Sequence, residues 1–118
     1  MQSKEIIKES GRPIRFRAWN VNTKRMADWE EVENEYGFKY LLGNNITIPM
    51  QYTGLKDKNG VEIFEGDVVQ FEALLDTEKK GRAQVFFQSG SFIANGLMSN
   101  GIPLTVIGNI HQHPELLI

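Results

Sequence analysis

The chain has 118 residues, of which 41% are hydrophobic and 24% charged, with a formal net charge of −2 and no cysteine. This length suits one domain and excludes two large independent ones, and the composition is that of a globular protein. The charge argues against a protein that coats nucleic acid by electrostatics alone, and the missing thiols exclude disulfides, thiolate metal sites and cysteine nucleophiles.

No apolar run approaches the roughly 20 residues of a membrane-spanning helix, and the first residues lack the apolar core of a signal peptide. We therefore expect a soluble, cytoplasmic protein without membrane contact. The charges are unevenly spread, because residues 1–27 carry a net charge of +5 and five acidic residues follow between Asp28 and Glu35. This split is typical of a basic face for a polyanion, or of two opposed patches that neutralise each other.

The N-terminal half predicts a short arm followed by a β meander. Residues 1–12 read as the arm, and residues 14–19 alternate strictly as a strand. Residues 20–23 predict a turn, and residues 24–32 predict an antiparallel return strand that carries Met26 and Trp29. Residues 33–45 are interpreted as a short strand or an irregular loop.

The centre of the chain predicts a strand and a hairpin. Residues 46–50 alternate as a strand, and Pro49 places it at an edge or near its end. Asn59 and Gly60 form the preferred central pair of a two-residue hairpin turn, in which both positions take a positive φ. The meander accordingly extends over residues 13–60.

The C-terminal half predicts a small barrel of the SH3-like type over residues 61–112, with a tail at 113–118. Its strands are expected at residues 67–71, 82–88, 91–94 and 105–110, with a polar connection at 74–81 and Asn-Gly turns at 95–96 and 100–101. Pro114 favours one terminal helical turn. The fold class is mainly β, a β-rich α+β arrangement in which the meander packs on the barrel.

Three ordered blocks of sequence carry a resemblance to a known family. They are residues 14–19 with Met26 and Trp29, residues 50–69, and residues 106–110 with 113–117. From Ile14 to the C-terminus the chain resembles the YopX-like family of phage and prophage proteins. The resemblance implies a bacterial host cell and self-association into a homo-oligomer, and it supplies no activity to transfer. We expect a single YopX-like domain over residues 1–118, in which the arm at 1–12 precedes the part that resembles the family.

Few residues have the spacing that catalysis or metal binding requires. His111 and His113 could offer two imidazoles to a metal with Glu115 as a third ligand, or they are exposed tail histidines. Asp57, Glu65 and Asp67 could serve acid–base chemistry. Turn chemistry explains them more simply, with Asp57 in an Asx-type bond and Asp67 capping backbone donors. We therefore expect no cofactor, no metal and no enzymatic activity.

Two surfaces are candidates for binding. Arg15, Arg17 and Trp19 alternate on the outer face of the first strand, and arginine beside an aromatic ring suits base stacking and phosphate contact. The same face could instead be covered by arginine stems paired with Glu30 or Glu31. The full candidate surface for nucleic acid or a partner is Arg15, Arg17, Trp19, Lys79, Lys80 and Arg82.

Three phenylalanines beside a barrel turn form the second surface. Phe86, Phe87 and Phe92 could line a groove, although core filling should explain at least one of the adjacent pair. The leading hypothesis is a non-enzymatic module that binds a protein partner or itself. The alternative hypothesis is a nucleic-acid-binding accessory protein of phage origin.

Overall fold

The computed structural model describes residues 14–37, 45–72, 80–88, 90–94 and 104–117. The chain divides into two compact units, Met1–Gly54 and Leu55–Ile118. The predicted mainly β fold class is confirmed. Within the described ranges the strands are β1 Phe16–Asn20, β2 Arg25–Ala27, β3 Thr47–Lys56, β4 Glu62–Phe64, β5 Asp67–Glu72, β6 Lys80–Gln84, β7 Phe86–Gln88, β8 Ser91–Ile93 and β9 Leu104–Asn109.

The first unit contains an antiparallel arrangement in the order β2-β1-β3. The predicted turn after β1 is confirmed, because the Asn20 side-chain oxygen accepts the N–H groups of Asn22 and Thr23, each at 2.9 Å. Lys24 closes this turn in the left-handed region, with a φ of 58°. Asn20 thus fixes the meander through local hydrogen bonds that only a short polar side chain supplies.

The predicted return strand over residues 24–32 is wrong beyond Ala27. A short helix α1, Trp29–Glu31, follows β2 and continues into a π-type turn, Val32–Tyr36. Asp28 caps this helix, because its carboxylate accepts the Glu31 N–H at 2.9 Å and the Glu31 carboxylate accepts the Asp28 N–H at 3.4 Å. This reciprocal capping box overrides the strand preference of the apolar residues. The interpretation of residues 33–45 as a short strand or an irregular loop is therefore wrong for residues 33–36, which are helical and end at the C-cap Gly37. Residues 38–44 lie outside the described part.

The helical segment supplies one wall of the core of the first unit. Ala18 and Ala27 from the strands and Val32 from the turn are buried together. Phe16 and Trp29 pack against them, with ring centroids 6.4 Å apart. Trp29 thus reaches the core from a helix and not from the predicted strand.

The predicted hairpin after β3 is confirmed in the second unit, where β4 pairs with β3. The predicted positive φ at both Asn59 and Gly60 is wrong, because only Gly60 of the two takes one, at 85°. The Asp57 carbonyl accepts the Gly60 N–H at 3.0 Å, and Val61 O accepts the Asp57 N–H at 2.8 Å. This is a three-residue loop that ends in a left-handed glycine.

The second unit also contains an antiparallel sheet in the order β6-β5-β9, with a register shift between Val68 and Val69. The predicted strand over residues 82–88 is two strands, β6 and β7. Val85 separates them because its N–H donates to Asp67 O and its carbonyl accepts the Gly66 N–H, both at 2.8 Å. The core of the unit is formed by Ile63, Val69, Val85, Ala94 and Leu104.

The predicted helical turn of the tail is confirmed as a 3₁₀ turn, Pro114–Leu117. Four further predictions lie wholly or partly outside the described residues: the arm at 1–12, the connection at 74–81, and the turns at 95–96 and 100–101. Two predictions remain. One is that the C-terminal strands close into an SH3-like barrel, and the other is that residues 1–118 form a single domain with the boundaries given above.

Candidate interaction surface

The predicted outer face of β1 is less open than its alternation indicates. The Trp19 side chain is only 7% exposed, so its ring offers little area on which a base could stack. The Arg15 guanidinium carbon lies 4.8 Å from the centroid of the Tyr52 ring. Arg17 Nη2 lies 3.8 Å from the sulfur of Met50. β1 holds Arg17 and Trp19, and Arg15 precedes its first residue. Both arginine heads lie against neighbouring side chains of the same unit.

The acidic segment that follows is neutralised in part by the basic one. Arg25, on β2, forms an ion pair with Glu31 of α1. Glu31 also takes part in the capping box, so its carboxylate serves two local contacts. This pair favours the interpretation that the opposed charges meet within the unit.

The remaining candidate cations lie in the second unit. Arg82, on β6, is exposed, lies opposite Gln70 and donates from Nη1 to the carbonyl of Leu116 at 3.3 Å. Lys80 is placed by its backbone at the start of β6, and Lys79 lies outside the described residues. Of the three, the structure therefore gives a side-chain environment to Arg82 alone.

Asp57 holds the first hairpin of the second unit through its carboxylate. Oδ1 accepts the N–H groups of Asn59 and Val61 at 2.8 and 2.9 Å, and Oδ2 accepts the Val106 N–H at 2.9 Å. Burial by itself raises the pKa of the Asp57 carboxyl, but the three N–H groups and the nearby Lys58 outweigh it, so the pKa is lowered. The predicted Asx-type bond is confirmed, and it extends to β9.

Asp67 has a similar structural role. Its side chain is 1% exposed, and Oδ2 accepts the Phe64 N–H at 2.8 Å across the turn at Glu65 and Gly66. The predicted capping of local backbone donors is confirmed. Both buried carboxylates therefore hold backbone N–H groups in place.

The two histidines lie in the turn after β9. His113 Nδ1 accepts the Asn109 N–H at 3.2 Å, and Asn109 Oδ1 accepts the His111 and Gln112 N–H groups at 3.1 and 2.9 Å. Nδ1 of His113 is thus used within the turn. In the described ranges, no three His, Cys, Asp or Glu side chains are grouped so that they could hold a metal ion.

The hairpin formed by β7 and β8, residues 86–93, is here called the aromatic hairpin. Phe86 and Phe87 are 39% and 52% exposed, so the prediction that core filling explains one of them is wrong. The Phe87 ring contacts Phe92 edge-on, with centroids 4.9 Å apart. Val85 and Ala94, at the two ends of the hairpin, are buried in the core. The core therefore holds the base of a hairpin that presents aromatic rings to solvent.

A signal for this surface is present in the sequence, although the strand patterns do not reveal it. Residues 83–114 contain no Asp, Glu, Lys or Arg, in a chain that is 24% charged. A buried segment without charges is ordinary, but an exposed one is not, because exposed strands usually carry charges that prevent pairing with other chains. The exposure of Phe86 and Phe87 shows that part of this uncharged segment lies at the surface.

The model of the family described as YopX protein matches residues 15–118. The chain belongs to the YopX family. Two solved structures are similar over most of the chain. Protein EF1440 from Enterococcus faecalis is 28% identical, with a TM-score of 0.65, and the match covers 89% of this chain and 98% of that one.

YopX from Bacillus subtilis is 20% identical, with a TM-score of 0.60, and the match covers 88% of this chain and 98% of that one. This second likeness shows the fold alone. No curated protein matches the chain. No helix in the described segments is long and apolar enough to span a bilayer.

Proposed function

We propose that this YopX-family protein is a non-enzymatic interaction module of phage or prophage origin, which acts in the cytoplasm of the bacterial host. It binds a protein partner or further copies of itself. The observation that carries the proposal is the exposure of Phe86 and Phe87 on a hairpin whose base is buried. When a partner covers these rings, their apolar surface leaves the water, and this lowers the free energy of the bound state.

The buried carboxylates support binding over catalysis. Asp57 and Asp67 are two of the three acidic residues that the sequence offers for acid–base work, and the carboxylate of each accepts backbone N–H groups. A carboxylate held in this way stabilises a turn, and a change in its protonation state would break the hydrogen bonds. This arrangement favours a structural role for both carboxylates.

Size-exclusion chromatography with light scattering, followed by crosslinking in a phage-infected lysate, tests the proposal. We expect the wild-type protein to be larger than a monomer or to capture a specific protein, and Phe87→Ser to reduce this association. Val61→Ser is the matched control, because Val61 is exposed to a similar extent, at 47%, outside the aromatic hairpin. A strictly monomeric wild type that captures no protein, or a Phe87→Ser protein that associates fully, would contradict the proposal.

Arg82 supports a second candidate function, a nucleic-acid-binding accessory role, because it is an exposed cation on a strand of the second unit. Phosphate contacts release counter-ions, so binding to single strands or duplexes should weaken steeply as salt rises. Arg17→Ala and Arg82→Ala should each lower the affinity and reduce the salt dependence. The absence of binding at low salt would remove this candidate.

A further inference from the structure

We propose that Asn59 is a site of spontaneous deamidation, and that the turn at residues 57–61 keeps it unmodified while the first hairpin of the second unit is closed. This modification is independent of the interaction function. In an Asn-Gly pair the amide nitrogen after the asparagine is poorly shielded, because glycine has no side chain. Asn59 and Gly60 are both exposed, so water and hydroxide reach the reacting atoms.

The reaction needs only water and hydroxide as co-reactants. Hydroxide removes the proton of the Gly60 amide, and the nitrogen attacks Cγ of Asn59. The bond from this nitrogen to Cγ forms, the bond from Cγ to Nδ2 breaks, and ammonia leaves with a proton from water, which regenerates hydroxide. Water then opens the cyclic succinimide at either of its carbonyl carbons. The product is aspartate, or isoaspartate in which the main chain runs through the former side chain.

The closed turn withholds the nitrogen that must attack. The Gly60 N–H donates to the Asp57 carbonyl at 3.0 Å, so the proton that hydroxide must remove is held in a hydrogen bond. On either side of this nitrogen, Oδ1 of Asp57 accepts the N–H groups of Asn59 and Val61, at 2.8 and 2.9 Å. Attack on Cγ requires the backbone of Asn59 and Gly60 to rotate, and these three hydrogen bonds oppose the rotation. We therefore expect deamidation from the opened hairpin.

The modified turn should not close again in the same way. Isoaspartate adds one carbon to the main chain between the N–H groups of residues 59 and 61, which a single oxygen of Asp57 accepts together. A new carboxylate also appears two residues from the Asp57 carboxylate. Oδ2 of Asp57 accepts the Val106 N–H of β9 at 2.9 Å, so a displaced Asp57 loosens this contact as well. Deamidation thus converts a transient opening of the hairpin into a permanent one.

Incubation of the full chain in mildly alkaline buffer, followed by proteolysis and mass spectrometry, measures deamidation at residue 59 separately from the Asn-Gly pairs at 95–96 and 100–101. A blocked peptide of residues 56–62 supplies the reference rate. We expect Asn59 in the folded chain to react at least about tenfold more slowly than in the peptide. Asp57→Ala should accelerate the reaction about tenfold. Lys58→Ala is the matched control and should not, because it keeps the hydrogen bonds of the Asp57 carboxylate.

Hydrogen exchange of the Gly60 amide in the wild type is a second measurement, which does not depend on the folding of Asp57→Ala. The same opening frees this N–H for exchange and its nitrogen for attack, so both rates should rise in proportion as urea is added below the unfolding transition. Deamidation at the peptide rate while the Gly60 amide is protected, or equal rates for Asp57→Ala and Lys58→Ala, would overturn the protective role of the turn. An Asn59 that stays unmodified in the urea-unfolded chain would overturn the modification site itself.

Discussion

The second unit contains two hairpins that share a backbone device and differ in side-chain chemistry. Each has a left-handed glycine in its turn, Gly60 with a φ of 85° and Gly90 with a φ of 83°. In the first hairpin the Asp57 carboxylate turns inward and accepts three backbone N–H groups. In the second, Phe86 and Phe87 turn outward. Turn glycines therefore specify that a hairpin forms, but not whether its side chains serve the fold or a partner.

The two hairpins differ in what they leave exposed to water. The polar groups around Asp57 find partners inside the unit, so this hairpin has little to gain from another molecule. The aromatic hairpin keeps the apolar area of Phe86 and Phe87 in contact with water, which is the condition under which association is favourable. The comparison predicts that substitutions in the first hairpin affect folding and substitutions in the second affect binding.

The largest effect is expected for Asp57→Ala. Removing the carboxylate leaves the N–H groups of Asn59, Val61 and Val106 without their acceptor, which should lower the free energy of unfolding by about 3 kcal/mol. Urea denaturation followed by circular dichroism measures this. Lys58→Ala is the control in the same turn, because it keeps all three hydrogen bonds of the Asp57 carboxylate and removes only the nearby positive charge, the smallest of the effects that lower the Asp57 pKa. A loss for Asp57→Ala no larger than that for the control would contradict the role of the carboxylate.

Acidification should remove part of the same contribution. The pKa of Asp57 is lowered in the folded state, so the unfolded chain binds more protons in the range between the folded and unfolded pKa values. The contribution to stability is therefore complete above the unfolded pKa, about 4, and is lost as the pH falls through the folded pKa. Denaturation at several pH values should show the difference between the wild type and Asp57→Asn narrowing below about pH 4. A difference that stays constant with pH would contradict this prediction.

Local sequence patterns predict the strands β1 and β5 correctly, but they do not predict the helical segment that follows β2. Alternation over residues 14–19 finds β1, and the apolar residues that follow the turn at Glu65 and Gly66 find β5 at residues 67–71. The pattern misses α1, since Met26 and Trp29 suit a strand as well as a helix turn. Asp28 and Glu31 decide the outcome through the capping box. The capping-box residues are visible in the sequence. Whether they prevail over the strand propensity of the segment depends on the tertiary packing of Val32, which the sequence does not show.

The candidate site was less predictable than the fold. The roles of Asp57 and Asp67 follow from turn chemistry, but the contact from Asp57 to Val106 joins residues far apart in the sequence. The exposure of Phe86 and Phe87 could not be read from periodicity. Two adjacent aromatics on a strand normally place one ring in the core, and only the anchoring of Val85 shows that the strand leaves the core at that point.

Substitution of the two turn glycines sharpens the comparison. Alanine at either position meets no atom within 4 Å, so the cost comes from its left-handed conformation alone, about 1–2 kcal/mol. Gly60→Ala should lower the global free energy of unfolding by this amount, because its hairpin is tied to β9. Gly90→Ala should mainly increase local opening of the aromatic hairpin, which hydrogen exchange of amides 86–93 measures. Equal global losses for both variants would show that the two hairpins are equally integrated in the fold.

The smallest effect on stability is expected for Phe87→Ser. Phe87 is 52% exposed, and its described ring contact is with Phe92 in the same hairpin, so the free energy of unfolding should change by less than about 1 kcal/mol. Val85→Ala is the contrasting variant, since it removes fully buried methyl groups at the base of the hairpin and should cost about 2 kcal/mol. Urea denaturation measures both. A large loss for Phe87→Ser would make the ring part of the fold, and its effect on association would then no longer identify a binding surface.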